Sequence, residues 1–551
     1  MKMQKPFAGI REDKGEKCPI WRLQIRVVKI NKARCVLLAI LALGALLRLY
    51  KLGADRIWYD EASSIALSQN KLNAYFLVNN LSYKPVYFLF LKAWSFCFGI
   101  DAFWLRLPSV IFSVLSLTLI YLIGKKIKDR LIGLVASFFL AISCFHIYHS
   151  QQVRQLSLMV LLVLISYFYF VCILKKNRTV DYVVNTCMNI LLIFTHPYSL
   201  TILISQNLTM IFLKVRNFFH VKKWFNLQML TLSFVPIWFI VSNKKRMIHN
   251  TWWIPSPTLG ILMETFQTFV YGGPRYGLYD YRLEFTAWLI IVLLLIIYGI
   301  LFFAGISSVN GGRSYFYRQA KVILFFWFFV PTSIAFGISF IRPLYLIKHL
   351  IIVLPAFCLI VALGLCRLKK RMLIFCVSSF LFLMNLYPLK KIYSEDRNIQ
   401  WGNAVDYLKK NMETQDVILI STASEMLPFL YYFSSDPRKV FNDYDTNIHA
   451  KVRDGMVMDA FYEERNLIVG ISQNQGEYSN SIRNDIENKI KQFVVEGQRS
   501  NVWLLISRWT RHEEKEFMVK RLAFLLNIET HRYVEGIDIY KFSSGLILKI
   551  D

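Results

Sequence analysis

The chain has 551 residues, of which 55% are hydrophobic and only 18% charged, and its mean hydropathy is +0.40. A soluble protein carries about 25% charged residues, and here the apolar residues gather in long blocks between Leu37 and Leu389. A wholly soluble protein is therefore excluded, and a membrane domain followed by a globular one is expected. The formal charge of +29 sits in short Lys and Arg clusters between apolar blocks, which marks cytoplasmic loops and argues against a nucleic-acid partner with its basic groove or recognition helix.

Residues 1–34 form a basic, polar lead, too long for a secretory signal peptide, so the first apolar run is expected to be an uncleaved span behind a cytoplasmic N-terminal segment. A helix needs about 20 mostly apolar residues to cross a bilayer. Runs that meet this need lie at 35–50, 103–123, 131–148, 153–174, 180–194, 198–213, 225–241, 285–303, 322–341, 344–365 and 372–387. The expected domain is thus α-helical and polytopic, about 11 spans over residues 35–389. Basic clusters at 125–130, 175–178, 214–223, 313–321 and 367–371 fall on one side of these spans, the cytoplasmic side. That alternation requires residues 85–98, short and carrying Lys92, to lie along the outer surface instead of crossing. The long loops 51–102 and 242–284 then face outward, and so does the C-terminal domain. Long ordered loops carry function, so the chemistry is expected on the external face.

After Lys390 the periodicity changes. An amphipathic helix is expected at 401–411, strands at 416–421, 466–472, 501–507 and 532–542, and helices near 425–432 and 513–526. The alternation predicts a soluble external α/β domain over residues 390–551, without a GxGxxG or P-loop to mark a nucleotide site. Of the nine cysteines none follows Cys376, and no disulfide framework or CxxC metal site is indicated.

Several polar groups on the outward side could carry chemistry. Asp60 and Glu61 stand together after the first span, flanked by Trp58 and Tyr59. Such acids either open a helix or act as a base whose proton affinity the flanking rings raise. Lys84, just before Pro85, either snorkels to the interface or meets a lipid phosphate at headgroup depth; Arg106 is a further cation of this kind. The polar turn His146–Arg154 offers Arg154 as a partner for Asp60 or a phosphate, and His149 as a proton carrier or metal ligand. Against this stands ordinary turn polarity. His196 tips another outward turn. His146, His149, His196 and the two acids have the chemistry to hold a divalent ion, although no local spacing demands one; no cofactor is otherwise implied. In the loop 242–284, the basic triplet Lys244-Lys245-Arg246 suits an anionic headgroup, and the aromatic residues suit either sugar stacking or the interfacial belt.

WYDEA at 58–62, YKPVYFLFLKAW at 83–94, RLPS at 106–109, HSQQVRQLSL at 149–158, THPYSL at 195–200, WWIPSP at 252–257 and YLIKHLIIVLPAF at 345–357 together resemble GT-C glycosyltransferases. The likeness is to the PMT-like branch, which includes protein O-mannosyltransferases and bacterial transferases that modify lipid A with aminoarabinose. It implies inverting transfer of a hexose or pentose from a polyprenyl-phosphate donor to a lipid, glycan or protein acceptor outside a bacterial inner membrane. It gives Asp60 the role of catalytic base with Glu61 in support. It sets Lys84, Arg154, His149, Gln152, His196, Lys348 and His349 at the donor phosphate or around the cavity. Gln152 stands where relatives often have Glu, Leu156 where an aromatic is usual, and Lys348-His349 where Arg-Tyr is frequent. A transporter or flippase of lipid-linked saccharides is the alternative. It would place acids within the spans, and these spans are nearly free of them.

Overall fold

The computed structural model describes residues 32–54, 56–69, 84–213, 218–241, 254, 256–272, 285–307, 315–394, 401–413, 416–421, 425–438, 441, 458–463, 466–471, 501–507 and 512–543. Most of the basic N-terminal segment, residues 70–83 and most of the loop 242–284, including its basic triplet, lie outside them.

Every one of the eleven apolar runs holds a helix. In chain order the helices are α1 (Lys32–Leu49), α2 (Tyr59–Gln69), α3 (Pro85–Phe98), α4 (Ala102–Ile127), α5 (Arg130–Ile142), α6 (Cys144–Ser150), α7 (Leu156–Lys176), α8 (Thr179–Ile193), α9 (Leu200–Phe212) and α10 (Phe218–Val241). Then follow α11 (Leu259–Val270), α12 (Phe285–Ser307), α13 (Tyr315–Ile338), a 3-10 segment Ile347–Val353 running into α14 (Leu354–Leu365), and α15 (Arg371–Ser394). Among the described residues six helices are long and apolar enough to cross a membrane, or seven if one bent pair counts as a span.

That bent pair occupies the run 131–148, where one straight helix was expected. The chain turns by 62° between α5 and α6, because Ser143 adopts an extended conformation and its hydroxyl accepts from the His146 N–H, opening a new helix. The run 153–174 likewise starts late, at Leu156, leaving 151–155 as a turn. Close packing of α12 on α14 depends on Gly305 and Gly364: a Cβ at either would collide with the main chain of the facing helix, at Ile360 and Leu301. Small residues at such contacts let membrane helices approach.

The C-terminal part holds α16 (Trp401–Asn411), α17 (Met426–Phe433), α18 (His512–Leu525) and one six-stranded sheet. Its strands are β1 (Val417–Ile420), β2 (Met458–Glu463), β3 (Asn466–Ile471), β4 (Asn501–Ser507), β5 (Asn527–Val534) and β6 (Ile537–Ser543), in the order β2-β3-β1-β4-β6-β5. The core β3-β1-β4 is parallel, with Val417 opposite both Leu467 and Val502, and β2, β6 and β5 add antiparallel. The single strand expected at 532–542 is a hairpin. Its turn falls at Glu535 and Gly536, both with positive φ, and β5 before it was hidden by its exposed, polar sequence. The strand β2 was also not foreseen.

This domain docks beside the start of α2. The Ile57 N–H donates to the Tyr432 hydroxyl at 2.6 Å, and the Arg56 guanidinium donates to Asn403 at 2.9 Å while lying over Gly402. Tyr431 donates to the Ile100 carbonyl and Arg438 to that of Ser95. The short segment that carries Trp58 and Tyr59 into Asp60 is therefore tied to the C-terminal domain.

Candidate functional site

Asp60 and Glu61 occupy the first turn of α2, where the helix dipole favours acids, yet their environments differ. Glu61 is fully buried. Arg106 of α4 grips it with two parallel bonds, Nε to Oε1 at 2.9 Å and Nη2 to Oε2 at 2.7 Å, and the Val153 N–H adds a third at 2.9 Å. Arg106 also donates to the carbonyls of Leu52 and Arg56. It therefore faces Glu61 and not an open site, unlike the sequence expectation for it. The Ser109 hydroxyl meanwhile donates to the Gln152 carbonyl at 2.7 Å, and the Gln151 amide to those of Arg48 and Tyr50. These bonds fix the turn 151–155 against α1, α2 and α4.

Arg154 leaves that turn toward Asp60. Its Nη2 lies 3.3 Å from Asp60 Oδ2, and Nη1 donates to the Asp60 carbonyl at 2.9 Å. Lys348, from the 3-10 segment before α14, reaches the same carboxylate oxygen at 3.2 Å. Asp60 keeps 21% of its side chain exposed, so the pair of ion pairs has an open face. Lys84 is buried close by and interacts electrostatically with Asp60, Arg154 and Lys348. The Val86 N–H donates to the Phe194 carbonyl, which sets the start of α3 beside the turn holding His196.

Three cations thus surround one carboxylate. Burial would raise the Asp60 carboxyl, but Arg154, Lys348 and Lys84 outweigh it and hold it down at about 2. Burial, with Arg154 and Lys348, pushes the Lys84 ammonium well below its usual range, and Asp60 only partly opposes this. Arg154 and Lys348 alone outnumber the single Asp60 carboxylate, a surplus of positive charge that suits an anion.

Histidines line its edge. Burial, then Lys84, Arg154 and Lys348, drive the His196 imidazole far below its ordinary range. Its Nδ1 accepts from the Tyr198 N–H at 3.2 Å, and its ring lies 4.2 Å from that of His349. The Leu346 N–H donates to the Tyr198 hydroxyl at 3.2 Å, tying this turn to the segment that presents Lys348. Nδ1 of His349 is buried without a hydrogen-bond partner among the described residues. His149 is buried with its Nδ1 at 3.3 Å from the Gln152 amide oxygen.

His146 stands apart from this group. Its Nδ1 meets Nη2 of the fully buried Arg48 at 2.9 Å, and Arg48 also bonds the carbonyls of Gly44, Ala141 and Leu140. With His146 on Arg48, Glu61 on Arg106 and cations around Asp60, the ligand set considered for a divalent ion does not assemble. Among the described residues no group of three or more His, Cys, Asp or Glu side chains could hold a metal.

Of the residues that the resemblance sets around a cavity, Lys84, Arg154 and Lys348 lie beside Asp60, His196 and His349 pack together next to them, and His149 bonds Gln152. The sequence reading missed that Arg106 serves Glu61, for which two buried, oppositely charged residues 45 positions apart give no local signal.

Residues 83–241 match the family model described as dolichyl-phosphate-mannose-protein mannosyltransferase; Asp60 and Lys348 lie outside that segment. No curated protein matches the chain by sequence. Among solved structures, ArnT from Cupriavidus metallidurans in the apo state aligns at 9% identity and TM-score 0.57, over 93% of this chain and 98% of that one. The same protein bound to undecaprenyl phosphate aligns at 9% identity and TM-score 0.54, over 92% and 97%. The oligosaccharyltransferase AglB from Archaeoglobus fulgidus, in complex with an inhibitory peptide and a dolichol-phosphate, aligns at 11% identity and TM-score 0.51, over 94% of this chain and 75% of that one. For that archaeal enzyme tethered with an acceptor peptide, the chain spans 63% of the other's length at 12% identity and TM-score 0.47. Identities this low speak for the fold alone, which the chain shares with these structures.

Proposed function

We propose that this GT-C membrane protein with a PMT-like segment transfers a sugar from a polyprenyl-phosphate donor to an acceptor hydroxyl on the external face of the membrane, with Asp60 as general base. The observation that carries the proposal is the Asp60 carboxylate bonded by Arg154 and Lys348, with Lys84 beside it, on a face left partly open. Inverting transfer requires such a combination. The acceptor oxygen attacks the anomeric carbon, the bond from that carbon to the phosphate oxygen breaks, and polyprenyl phosphate departs. A base takes the hydroxyl proton as the new bond forms, and fixed cations stabilise the charge growing on the leaving phosphate.

With only its cations for partners Asp60 is a weak base, held down at about 2. A donor phosphate would share those cations, weakening their hold and raising the proton affinity of Asp60 toward the working pH. Donor binding then prepares the base. Glu61, with both oxygens occupied by Arg106 and Val153, positions α2 and the turn bearing Arg154 and does not itself touch substrate. The rings of His196 and His349 would border the sugar. The external placement is supported by the basic clusters at the opposite helix ends, such as Lys125 and Lys126 of α4 and Lys175 and Lys176 of α7.

The test is a screen of membrane vesicles carrying the protein against radiolabelled polyprenyl-phosphate sugars. Release of free polyprenyl phosphate with label moved to an acceptor is expected for one donor. Movement of the intact lipid-linked sugar across the bilayer, without release, would replace this reading by a transporter.

A further inference from the structure

Four helix ends meet far from Asp60. Phe212 at the end of α9, Ile306 at the end of α12, Lys321 and Phe325 in the first half of α13, and Ile360 and Leu363 toward the end of α14 line a groove of about 380 Å³. Its walls are apolar, and Lys321 is the one charged residue of the lining among the described residues. Phe212 and Phe325 are 63% and 45% exposed, so the outer wall opens sideways, where membrane helices meet hydrocarbon. Leu363 follows Lys348 by 15 residues along one helical run, Ile347–Leu368, which separates the groove from the Asp60 pocket by roughly 20 Å along the helix axis. The groove therefore belongs to the opposite leaflet.

The charges at this end favour an anion. Arg367, after α14, and Lys128, after α4, both lie close enough to Lys321 to act on it electrostatically. Asp129, next to Lys128 in the chain, is engaged as the cap of α5, its Oδ1 accepting from the Ile132 N–H at 3.0 Å. Among the described residues, Lys321, Arg367 and Lys128 leave a positive mouth on a dry groove, the arrangement that recognises an anionic headgroup attached to an acyl chain.

We propose that this groove binds one anionic phospholipid of the leaflet opposite the Asp60 pocket, with its phosphate against Lys321, Arg367 and Lys128 and an acyl chain along Phe212, Phe325 and Ile306. The inference rests on the membrane fold and not on the transferase reading. The lipid would brace the ends of α9, α12, α13 and α14, and so secure α14, whose leading segment presents Lys348 to Asp60.

The test uses the full chain, purified in detergent and offered phosphatidylglycerol and phosphatidylcholine at equal mole fraction, with retained lipid read by native mass spectrometry. The wild type is expected to retain one phosphatidylglycerol in preference to phosphatidylcholine. Lys321→Gln should lower its affinity about fivefold and Lys321→Gln with Arg367→Gln about 30-fold, as the attraction of single basic residues to anionic lipid implies. Lys321→Arg should keep it, and Ile306→Trp, which fills the groove, should lower retention of both lipids. The single Lys321→Gln variant decides the matter should the double variant not fold. Equal retention of phosphatidylcholine by the wild type, or unchanged phosphatidylglycerol affinity in Lys321→Gln, would overturn the proposal.

Discussion

Replacing Glu61 separates positioning from catalysis at this site. Glu61→Ala removes a carboxylate that accepts three hydrogen bonds and leaves Arg106, 2% exposed, without its counter-charge. Stranding one partner of a buried ion pair costs about 3–5 kcal/mol. The carbonyls of Leu52 and Arg56 still accept from Arg106, which points to the lower end of that range. The Val153 N–H also loses its acceptor, adding about 1–3 kcal/mol. A total of about 4–6 kcal/mol is a large share of the 5–15 kcal/mol that typically holds a protein together. Thermal unfolding in detergent, followed by loss of monodisperse protein, should show a clear drop in midpoint. Glu61→Ala with Arg106→Leu, which removes both charges, should recover part of the loss, because it leaves no buried charge unpaired. If Glu61→Ala unfolds like the wild type yet abolishes turnover, Glu61 is part of the chemistry and the positioning role is wrong.

Lys348→Gln removes one of the two cations bonded to Asp60. At 3.2 Å such a charge acts with about 5 kcal/mol at an effective dielectric of 20, and the water reaching this partly exposed pair reduces that to a shift of about one pKa unit or more. Because Asp60 is depressed and works ionised, activity is lost as pH falls through its pKa, so the acid limb of kcat/KM should move to higher pH; an unmoved limb would show that Lys348 does not act on the base. Lys84→Ala should raise the donor KM at least tenfold with a smaller change in kcat, measured by initial rates at varied donor, and an unchanged KM would remove Lys84 from the donor site.

How much of this was legible in the sequence follows from the range of each signal. The long apolar helices were readable because about 20 consecutive apolar residues are a local property, though six or seven and not eleven of them reach spanning length among the described residues; α16 was readable because its amphipathic period is local too. The bend at Ser143 was not, since one extended residue inside an apolar run changes neither length nor hydropathy. The exposed strand β5, NIETHRYV, has no apolar face to betray it and forms only because β6 offers an edge. At the site, Asp60 and Arg154 were marked as ionisable groups at the ends of spans, but the pairing of Lys348 with Asp60 joins residues 288 positions apart. The resemblance to GT-C enzymes named those residues without showing which oxygen they share. The different fates of Asp60 and Glu61 needed the fold: adjacent on the first turn of a helix, they point about 100° apart, Glu61 into the protein and Asp60 toward its cations.

The most direct test of the account is single-turnover transfer by Asp60→Asn with the donor that the wild type uses, alongside donor binding to the same preparation. The substitution keeps the side chain's size while removing its basicity. The account predicts that the variant binds donor at least as well as the wild type, since a negative charge has left the phosphate site, and that transfer falls by 10²-fold or more, about what a positioned general base contributes. Transfer at the wild-type rate would contradict the assignment of Asp60 as the base.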